Sequence, residues 1–152
     1  MKLYYFSNSI FPSKSADSVN VMNTSSELSK LVSELKTSGI NGSTGDDETF
    51  KYYGVNSSFK LLRFNPIIKK GSLYISGLLD ALRVKWQKPD LVYGRSIFSA
   101  MMMHRLGVNF NFECHDAKWL VNKRYEKMYN TVFNSSHLKK LVVVSGRLKE
   151  LT

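Results

Sequence analysis

The sequence predicts an α/β fold in which a doubly wound, mostly parallel sheet carries helices on both of its faces. Short apolar runs with strand character alternate with longer segments of helical periodicity, and this alternation is typical of parallel sheets. Residues 88–116 hold a complete strand, helix and strand, and such a connection between parallel strands is almost always right-handed. The length of 152 residues fits one domain.

The chain opens with a strand followed by a helix. Residues 2–6 form an apolar run, which predicts the first strand. A polar loop containing Pro12 follows, and either Ser15 or Asp17 is suited to cap the next helix. We expect that helix to bury one apolar stripe, formed by Leu28, Leu31, Val32 and Leu35.

The next segment is the weakest part of the prediction. Residues 36–47, KTSGINGSTGDD, contain three glycines and one large apolar residue, Ile40. A doubly wound fold needs a second strand near this place, but the composition argues against a well-buried one. The segment could instead be a loop, a frayed edge strand or an altered segment. Residues 48–53 predict a helical turn that ends at Gly54, and residues 59–64 predict a strand.

Helices and strands continue to alternate in the second half. Residues 72–87 and 119–133 predict helices, and residues 91–93 and 108–113 predict strands on either side of a helix capped by Ser96. The first of these helices should bury Ile75, Leu78, Leu79, Leu82 and Trp86. The run KLVVV at 140–144 is typical of a strand buried on both faces. Ser145 is suited to cap a last turn or helix over residues 146–151.

Composition restricts the function classes. A formal charge of +10 indicates an anionic partner such as nucleic acid, an anionic membrane surface or a phosphorylated ligand. No nucleic-acid recognition motif is present, so we do not expect a nucleic-acid partner. One cysteine forms no internal disulfide, which favours a reducing, cytoplasmic location. The sequence has no paired Cys/His metal spacing, no phosphate-binding Walker loop and no G-x-G-x-x-G motif.

Polar residues follow two neighbouring strands of the predicted sheet. Arg95 and Ser96 follow one strand, and Glu113, His115 and Asp116 end the next. Ligands of such sheets bind at the carboxyl ends of the strands. The guanidinium of Arg95 suits a phosphate or a carboxylate, or it forms a salt bridge at the rim. Ser96 is better suited as a cap than as a ligand, and Asp116 either orients a hydroxyl or caps a helix.

Two further groups of polar residues are candidates for binding. The loop and helix start after the first strand carry Ser15, Asp17, Ser18 and Asn20, and free N–H groups at a helix start attract anions, although ordinary capping explains each residue singly. Basic residues are candidates for contact with an anionic bilayer, the alternative being a solvated surface: Lys69, Lys70, Lys123, Arg124 and Lys127. Cys114 and His115 point to opposite sides of a strand, so we expect a half-buried cysteine and no nucleophile.

Five motifs occur in a suggestive order: SADSVNVM, YYGV, PDLVYGRS, FECHD and LVVVSGRLKELT. Together they resemble the N-terminal, Rossmann-like domain of family-4 glycosyltransferases, which have the two-domain GT-B fold. The resemblance covers residues 2–152 and is strongest at 89–116 and 141–152. It implies one domain over residues 1–152, truncated and lacking the donor-binding C-terminal domain.

The resemblance also implies an activity. Such enzymes transfer a sugar from a nucleotide-sugar to an acceptor, usually with retention of configuration and without a metal or other cofactor. The N-terminal domain mostly holds the acceptor, and His115 matches a histidine often found in that site, where it would steady charge near the reacting carbon. We therefore expect a part of an enzyme for cell-surface polysaccharide or glycolipid synthesis, peripheral to the inner face of a membrane and inactive in isolation.

Two departures from the family pattern keep a second function open. The loop at residues 15–18 lacks the family's glycine, and the second strand lacks its apolar run. The alternative is a stand-alone, non-catalytic binding module that pairs with a separate donor domain or with an anionic partner.

Overall fold

The computed structural model describes residues 1–66 and 71–144. Its strands are Lys2–Phe6 (β1), Ile10–Phe11 (β2), Glu34–Asn41 (β3), Lys60–Phe64 (β4), Leu91–Gly94 (β5), Phe110–Cys114 (β6) and Leu138–Val143 (β7). Its α-helices are Ala16–Ser29 (α1), Asp46–Tyr53 (α2), Ser72–Gln87 (α3), Ile97–Arg105 (α4) and Lys123–Phe133 (α5), with a 3₁₀ turn at Lys118–Leu120. The predicted last turn after Ser145 and the basic residues Lys69 and Lys70 lie outside the described residues.

The seven strands form one sheet in which every pairing is parallel. The order across the sheet is β4-β3-β1-β5-β6-β7, and the two-residue strand β2 continues beside β3 where β1 ends. The chain therefore winds outward in one direction from β1 and then in the other direction from β5. The predicted fold class, a doubly wound and Rossmann-like α/β fold, is confirmed, and the reversal between β1 and β5 is its topological switch point.

Each face of the sheet has its own apolar core. Tyr4 and Phe6 pack into the layer formed by α3, α4 and α5. Leu3 and Tyr5 point to the opposite face, where α1 and α2 cover the sheet. This alternation follows from the two-residue period of side chains along a strand.

The segment predicted to lack a well-buried strand forms β3, which lies between β1 and β4. Its small residues fit because the surrounding space is narrow: a Cβ atom on Gly39 would lie 2.3 Å from the ring of Phe11. Its polar side chains have buried partners, and the hydroxyls of Thr37 and Ser25 are 2.8 Å apart. The composition argument was wrong here because hydrogen bonds and close packing replace the apolar side chains that we expected.

The predicted stripe of the first helix is also wrong. Helix α1 ends at Ser29, and Leu35 lies in β3. Leu31 follows the helix and is 77% exposed. The helix instead buries small and medium side chains from its earlier turns: Ser18, Val21, Met22 and Ser25. Its start is as predicted, because the Ser15 hydroxyl caps it by accepting from the amide of Ser18.

Helix α3 has the predicted bounds but the opposite orientation about its axis. Its buried residues are Ser76, Gly77, Asp80, Ala81 and Val84. A Cβ atom on Gly77 would lie 2.7 Å from the backbone carbonyl of Phe98 in α4. The close approach of the two helices therefore requires the small face of α3, and most of the predicted apolar stripe is left exposed.

Strand β7 is not buried on both faces. It pairs with β6 and ends the sheet of the described residues. Val142 is exposed, and so is Val144, which follows the strand. The run of valines correctly predicted a strand, but the prediction that both of its faces are buried was wrong. β-Branched residues favour strands at the edge of a sheet as well as in its centre.

Candidate functional site

A cleft of about 710 Å³ lies at the topological switch point of the sheet. It is lined by residues at or after the carboxyl ends of β1, β5, β6 and β7 and by residues of α1, α4 and α5. The close approach of β5 to β1 shapes its floor, since the Arg95 amide donates to the Phe6 carbonyl at 3.0 Å. A Cβ atom on Gly94 would lie 2.1 Å from that carbonyl oxygen, so only glycine fits there.

Arg95 lies at the base of the cleft with only 7% of its side chain exposed. Its Nε atom is 3.4 Å from Asp17 Oδ1, and its Nη2 atom is 3.8 Å from Glu113 Oε1. The Glu113 carboxylate also accepts a hydrogen bond of 2.6 Å from the Tyr93 hydroxyl. Two carboxylates of the chain itself thus neutralise the guanidinium, which corresponds to the salt-bridge alternative of the sequence analysis.

His115 is oriented by Arg95. The Nε atom of Arg95 is 3.4 Å from His115 Nδ1, and because a guanidinium only donates, Nδ1 must accept. The proton of the neutral ring then resides on Nε2, which is 3.8 Å from both Asp17 Oδ1 and Asp116 Oδ2. Burial lowers the pKa of His115, and the charge of Arg95 lowers it further. At neutral pH the ring is uncharged and its Nε2–H group lies between two carboxylates.

Asp116 is held in its ionised form. Lys118 Nζ is 2.9 Å from Oδ2, and the hydroxyl of Tyr129 donates to Oδ1 at 3.0 Å. Burial opposes ionisation, but the Lys118 ammonium and amide outweigh it and hold the pKa of Asp116 below its ordinary value. The Lys118 amide also donates to Oδ1, so the carboxylate both anchors the 3₁₀ turn and borders the cleft.

Two buried polar atoms near the base have no hydrogen-bond partner among the described residues: the Tyr5 hydroxyl and Asp17 Oδ1. The Tyr5 ring stacks on Tyr93 at 5.4 Å between centroids. The second carboxylate oxygen of Asp17 is occupied by the hydroxyl of Ser9. Charged and polar groups thus lie close together at this end of the cleft. Two of their atoms accept or donate no hydrogen bond within the described residues.

The structure separates the predicted site residues into two groups. The cleft is lined by six of them: Asp17, Asn20, Arg95, Glu113, His115 and Asp116. The other three serve the local backbone: Ser15 caps α1, Ser18 donates to the carbonyl of Ile10 at 2.9 Å, and Ser96 caps α4. The capping alternative therefore describes the contacts of these serines.

Sequence reasoning missed the aromatic wall of the cleft. Phe98 from α4 and Tyr125 and Tyr129 from α5 line it, and the rings of Phe98 and Tyr125 meet edge to face. The sequence signal was the aromatic content of the fifth helix, but no local pattern shows which cleft a helix will face. With this wall, the site combines aromatic surface, three carboxylates and two cations, the latter being Arg95 and Lys118.

The predicted basic residues of α5 lie away from the base of the cleft. Lys123 and Lys127 border a shallow depression together with Glu126. Arg124 stacks on the ring of Tyr74, 5.3 Å from its centroid, and donates to the Tyr74 hydroxyl. Contact of these residues with a membrane stays a prediction.

Residues 1–66 and 71–144 are the part of the chain that the structure describes. No group of three or more His, Cys, Asp or Glu side chains in this part of the chain is arranged to hold a metal ion. No described helix combines the length and apolar character that crossing a membrane requires.

Comparison of the sequence with protein-family models and with curated proteins gives no match in either case. The fold and the site geometry are therefore the grounds on which a function can be argued.

Proposed function

We propose that the cleft binds a polyhydroxylated acceptor, a sugar or a sugar-bearing lipid, as the acceptor half of a glycosyltransferase that uses a nucleotide-sugar donor. The observation that carries the proposal is the His115 Nε2–H group, which lies 3.8 Å from each of two carboxylates at the switch point. Sugar hydroxyls both donate and accept hydrogen bonds. They can therefore accept from the neutral His115 N–H group and donate to the neighbouring carboxylates.

The charge balance favours a neutral ligand over an anionic one. The carboxylates of Asp17, Glu113 and Asp116 outnumber the cations of Arg95 and Lys118, and Arg95 is already paired. A phosphate placed here would have to displace Asp17 or Glu113 from the guanidinium. The donor diphosphate is therefore assigned to a separate donor domain, in cis or in trans, and no resident cofactor is invoked.

The aromatic wall supports the same ligand class. Phe98, Tyr125 and Tyr129 line the cleft together with its polar residues, and Tyr125 is the most exposed of the three rings. The faces of a sugar ring are apolar and its edges are polar, so an acceptor can contact the aromatic rings and the polar groups of the cleft at once. Ligand sites commonly combine an apolar lining with a few placed polar groups.

Binding of neutral sugars by the isolated chain tests the proposal. We expect saturation-transfer NMR to detect contacts with a panel of methyl glycosides and disaccharides, and inorganic phosphate not to compete. His115→Ala should weaken binding about tenfold, as expected when one hydrogen bond to a polar ligand is lost. His137→Ala is the matched control, since that ring contacts Asn109 outside the cleft.

The pH dependence gives a second readout. Because burial lowers the pKa of His115 below its ordinary value of 6.5, affinity should be retained to a lower pH than the titration of an ordinary imidazole would allow. Affinity should fall only in more acidic solution, where protonation makes the ring a cation that competes for Asp17 and Asp116. No sugar binding, or displacement of bound sugar by phosphate, would contradict the proposal.

A donor assay separates the enzyme proposal from the binding-module alternative. We expect the isolated chain to bind sugars without transferring one from a nucleotide-sugar. Robust transfer by the isolated chain would show that the donor also binds here. Restored transfer on addition of a donor domain would distinguish a half-enzyme from a module that only binds.

A further inference from the structure

Helix α3 exposes a continuous apolar surface. Ile75 and Leu78 are each 40% exposed, Leu82 is 47% exposed and Trp86 is 89% exposed. These four residues, which we name the α3 stripe, follow one another at intervals of three or four positions and so line one side of the helix. Large apolar side chains that cluster on a surface usually mark a contact site, whereas single exposed ones need no explanation.

Contacts on the buried side of α3 fix the orientation that exposes the stripe. At about 100° per residue, the stripe lies opposite the buried face that contains Gly77 and Asp80. Gly77 touches the backbone of Phe98, where no larger side chain fits. Asp80 accepts hydrogen bonds from the hydroxyls of Tyr4 and Ser99. Rotating the helix to bury the stripe would break these contacts, so the apolar surface is a stable feature of the fold.

The charges on α3 select the kind of partner. Lys85 is exposed beside the stripe, Arg83 is partly exposed on its other flank, and the exposed Lys88 caps the carboxyl end. The only acidic residue of the helix, Asp80, is buried with 1% exposure. The exposed charges on this side of the molecule are thus positive, and they complement an anionic partner rather than a second copy of the same surface.

We infer that the α3 stripe docks on the surface of an anionic lipid bilayer, with the helix axis parallel to the membrane plane. A helix with leucines and a tryptophan on one side and lysines along its flanks suits the headgroup boundary. Trp86, at the carboxyl end, occupies the interfacial level that tryptophan prefers. Lys85, Lys88 and Arg83 contact anionic headgroups, and each such cation strengthens attachment.

This surface differs from the basic residues of α5 that the sequence indicated. It rests on the apolar face of α3 and stands whether or not the cleft binds a sugar. The attachment is peripheral, through the outer face of one helix.

Vesicle sedimentation tests the inference. We expect the wild-type chain to bind vesicles of phosphatidylglycerol and phosphatidylcholine, to bind pure phosphatidylcholine much less, and to be released by salt. The double variant Leu78→Ser/Leu82→Ser should bind about tenfold more weakly, because two side chains lose their apolar contact. Leu31→Ser is the matched control, since Leu31 is 77% exposed outside α3 and its loss should change nothing.

Tryptophan fluorescence reports which surface meets the lipid. The chain has two tryptophans, and Trp119 is 7% exposed whereas Trp86 is 89% exposed. Anionic vesicles should therefore shift the emission to shorter wavelength in the wild type, and Trp86→Phe should abolish the shift. Circular dichroism verifies that each variant is folded.

Four results would overturn the inference. They are no binding to anionic vesicles, equal binding by the α3 double variant and Leu31→Ser, loss of binding only in Lys123→Glu/Lys127→Glu, and a wild-type dimer that the α3 double variant abolishes. The third result would assign the membrane contact to α5. The last would assign the stripe to self-association, and sedimentation velocity measures it directly.

Discussion

The buried carboxyl of Asp80 should make the stability of this protein depend on pH in an unusual direction. The side chain accepts from the Tyr4 hydroxyl at 2.9 Å and from the Ser99 hydroxyl at 2.7 Å. The nearest cation, Arg83, is 3.8 Å away and partly exposed. Burial outweighs these partners and raises the pKa of Asp80 from 3.8 to about 6.

The size and sign of the effect follow from that shift. Between pH 3.8 and about 6 the folded state keeps the proton of Asp80 while the unfolded chain releases it. Stability therefore falls as pH rises through this window, because the unfolded state binds fewer protons. A shift of about two units corresponds to about 3 kcal/mol, which is fully present below the lower value and lost above the upper one.

Asp80→Asn isolates this contribution. The asparagine has the shape of the neutral acid, and the hydroxyls of Tyr4 and Ser99 can turn to accept from its amide group. We expect the variant to gain about 3 kcal/mol in unfolding free energy relative to wild type between pH 4 and pH 7. Urea unfolding at several pH values measures this difference, and other titrating groups cancel because both proteins contain them.

The reasoning fails if the free-energy difference between the two proteins is constant from pH 4 to pH 7. A constant difference would mean that Asp80 has the same pKa in the folded and unfolded states. A difference of the opposite slope would mean that Arg83 and the two hydroxyls, rather than burial, determine the ionisation of this carboxyl.

Two simpler experiments test the close packing of the sheet at Gly94 and the burial of Cys114. Gly94→Ala should cost about 3 kcal/mol or more in thermal or urea unfolding, since its Cβ would lie 2.1 Å from the Phe6 carbonyl oxygen. Gly45→Ala, with no atom within 4 Å of the added Cβ, should cost about 1 kcal/mol or less, which is the loss expected at the N-cap of α2. Burial raises the pKa of Cys114 to about 12, so Ellman's reagent should label it at neutral pH only after denaturation, and rapid labelling of the native protein would contradict its burial.

Elements with a local chemical signal were predictable from the sequence. Ser15 and Ser96 start their helices by accepting from a backbone amide, and Gly54 and Gly107 follow helices with positive φ angles. Capping and left-handed termination depend on residues within one helical turn. The sequence therefore carries this information without any knowledge of the tertiary fold.

The orientation of α3 could not be predicted in the same way. Its leucines have the spacing of a buried stripe, yet the buried side contains Gly77 and Ala81. That choice depends on how closely α4 approaches, and α4 is separated from α3 by residues 88–96, which contain a strand. Apolar periodicity identifies a helix, but contacts between elements decide which side is buried.

The candidate site shows the same division. The rule that ligands bind at the carboxyl ends of strands correctly placed Arg95, Glu113 and His115 around one cleft. It did not indicate the aromatic wall, because Tyr125 and Tyr129 lie on a helix that returns to the cleft after β6. The tautomer of His115 was also beyond the sequence, since it depends on a contact with Arg95 at 3.4 Å.

Phe98 connects the cleft to helix α3. Its ring lines the cleft and packs edge to face against Tyr74, in the first turns of α3, at 5.0 Å between centroids. A bilayer in contact with the α3 stripe would thus lie along a helix whose first turn contacts a residue of the cleft lining. An acceptor with a lipid tail could keep the tail in the membrane and place its sugar between Phe98 and His115. If both proposals hold, a lipid-linked acceptor would use both surfaces, whereas a soluble sugar would use the cleft alone.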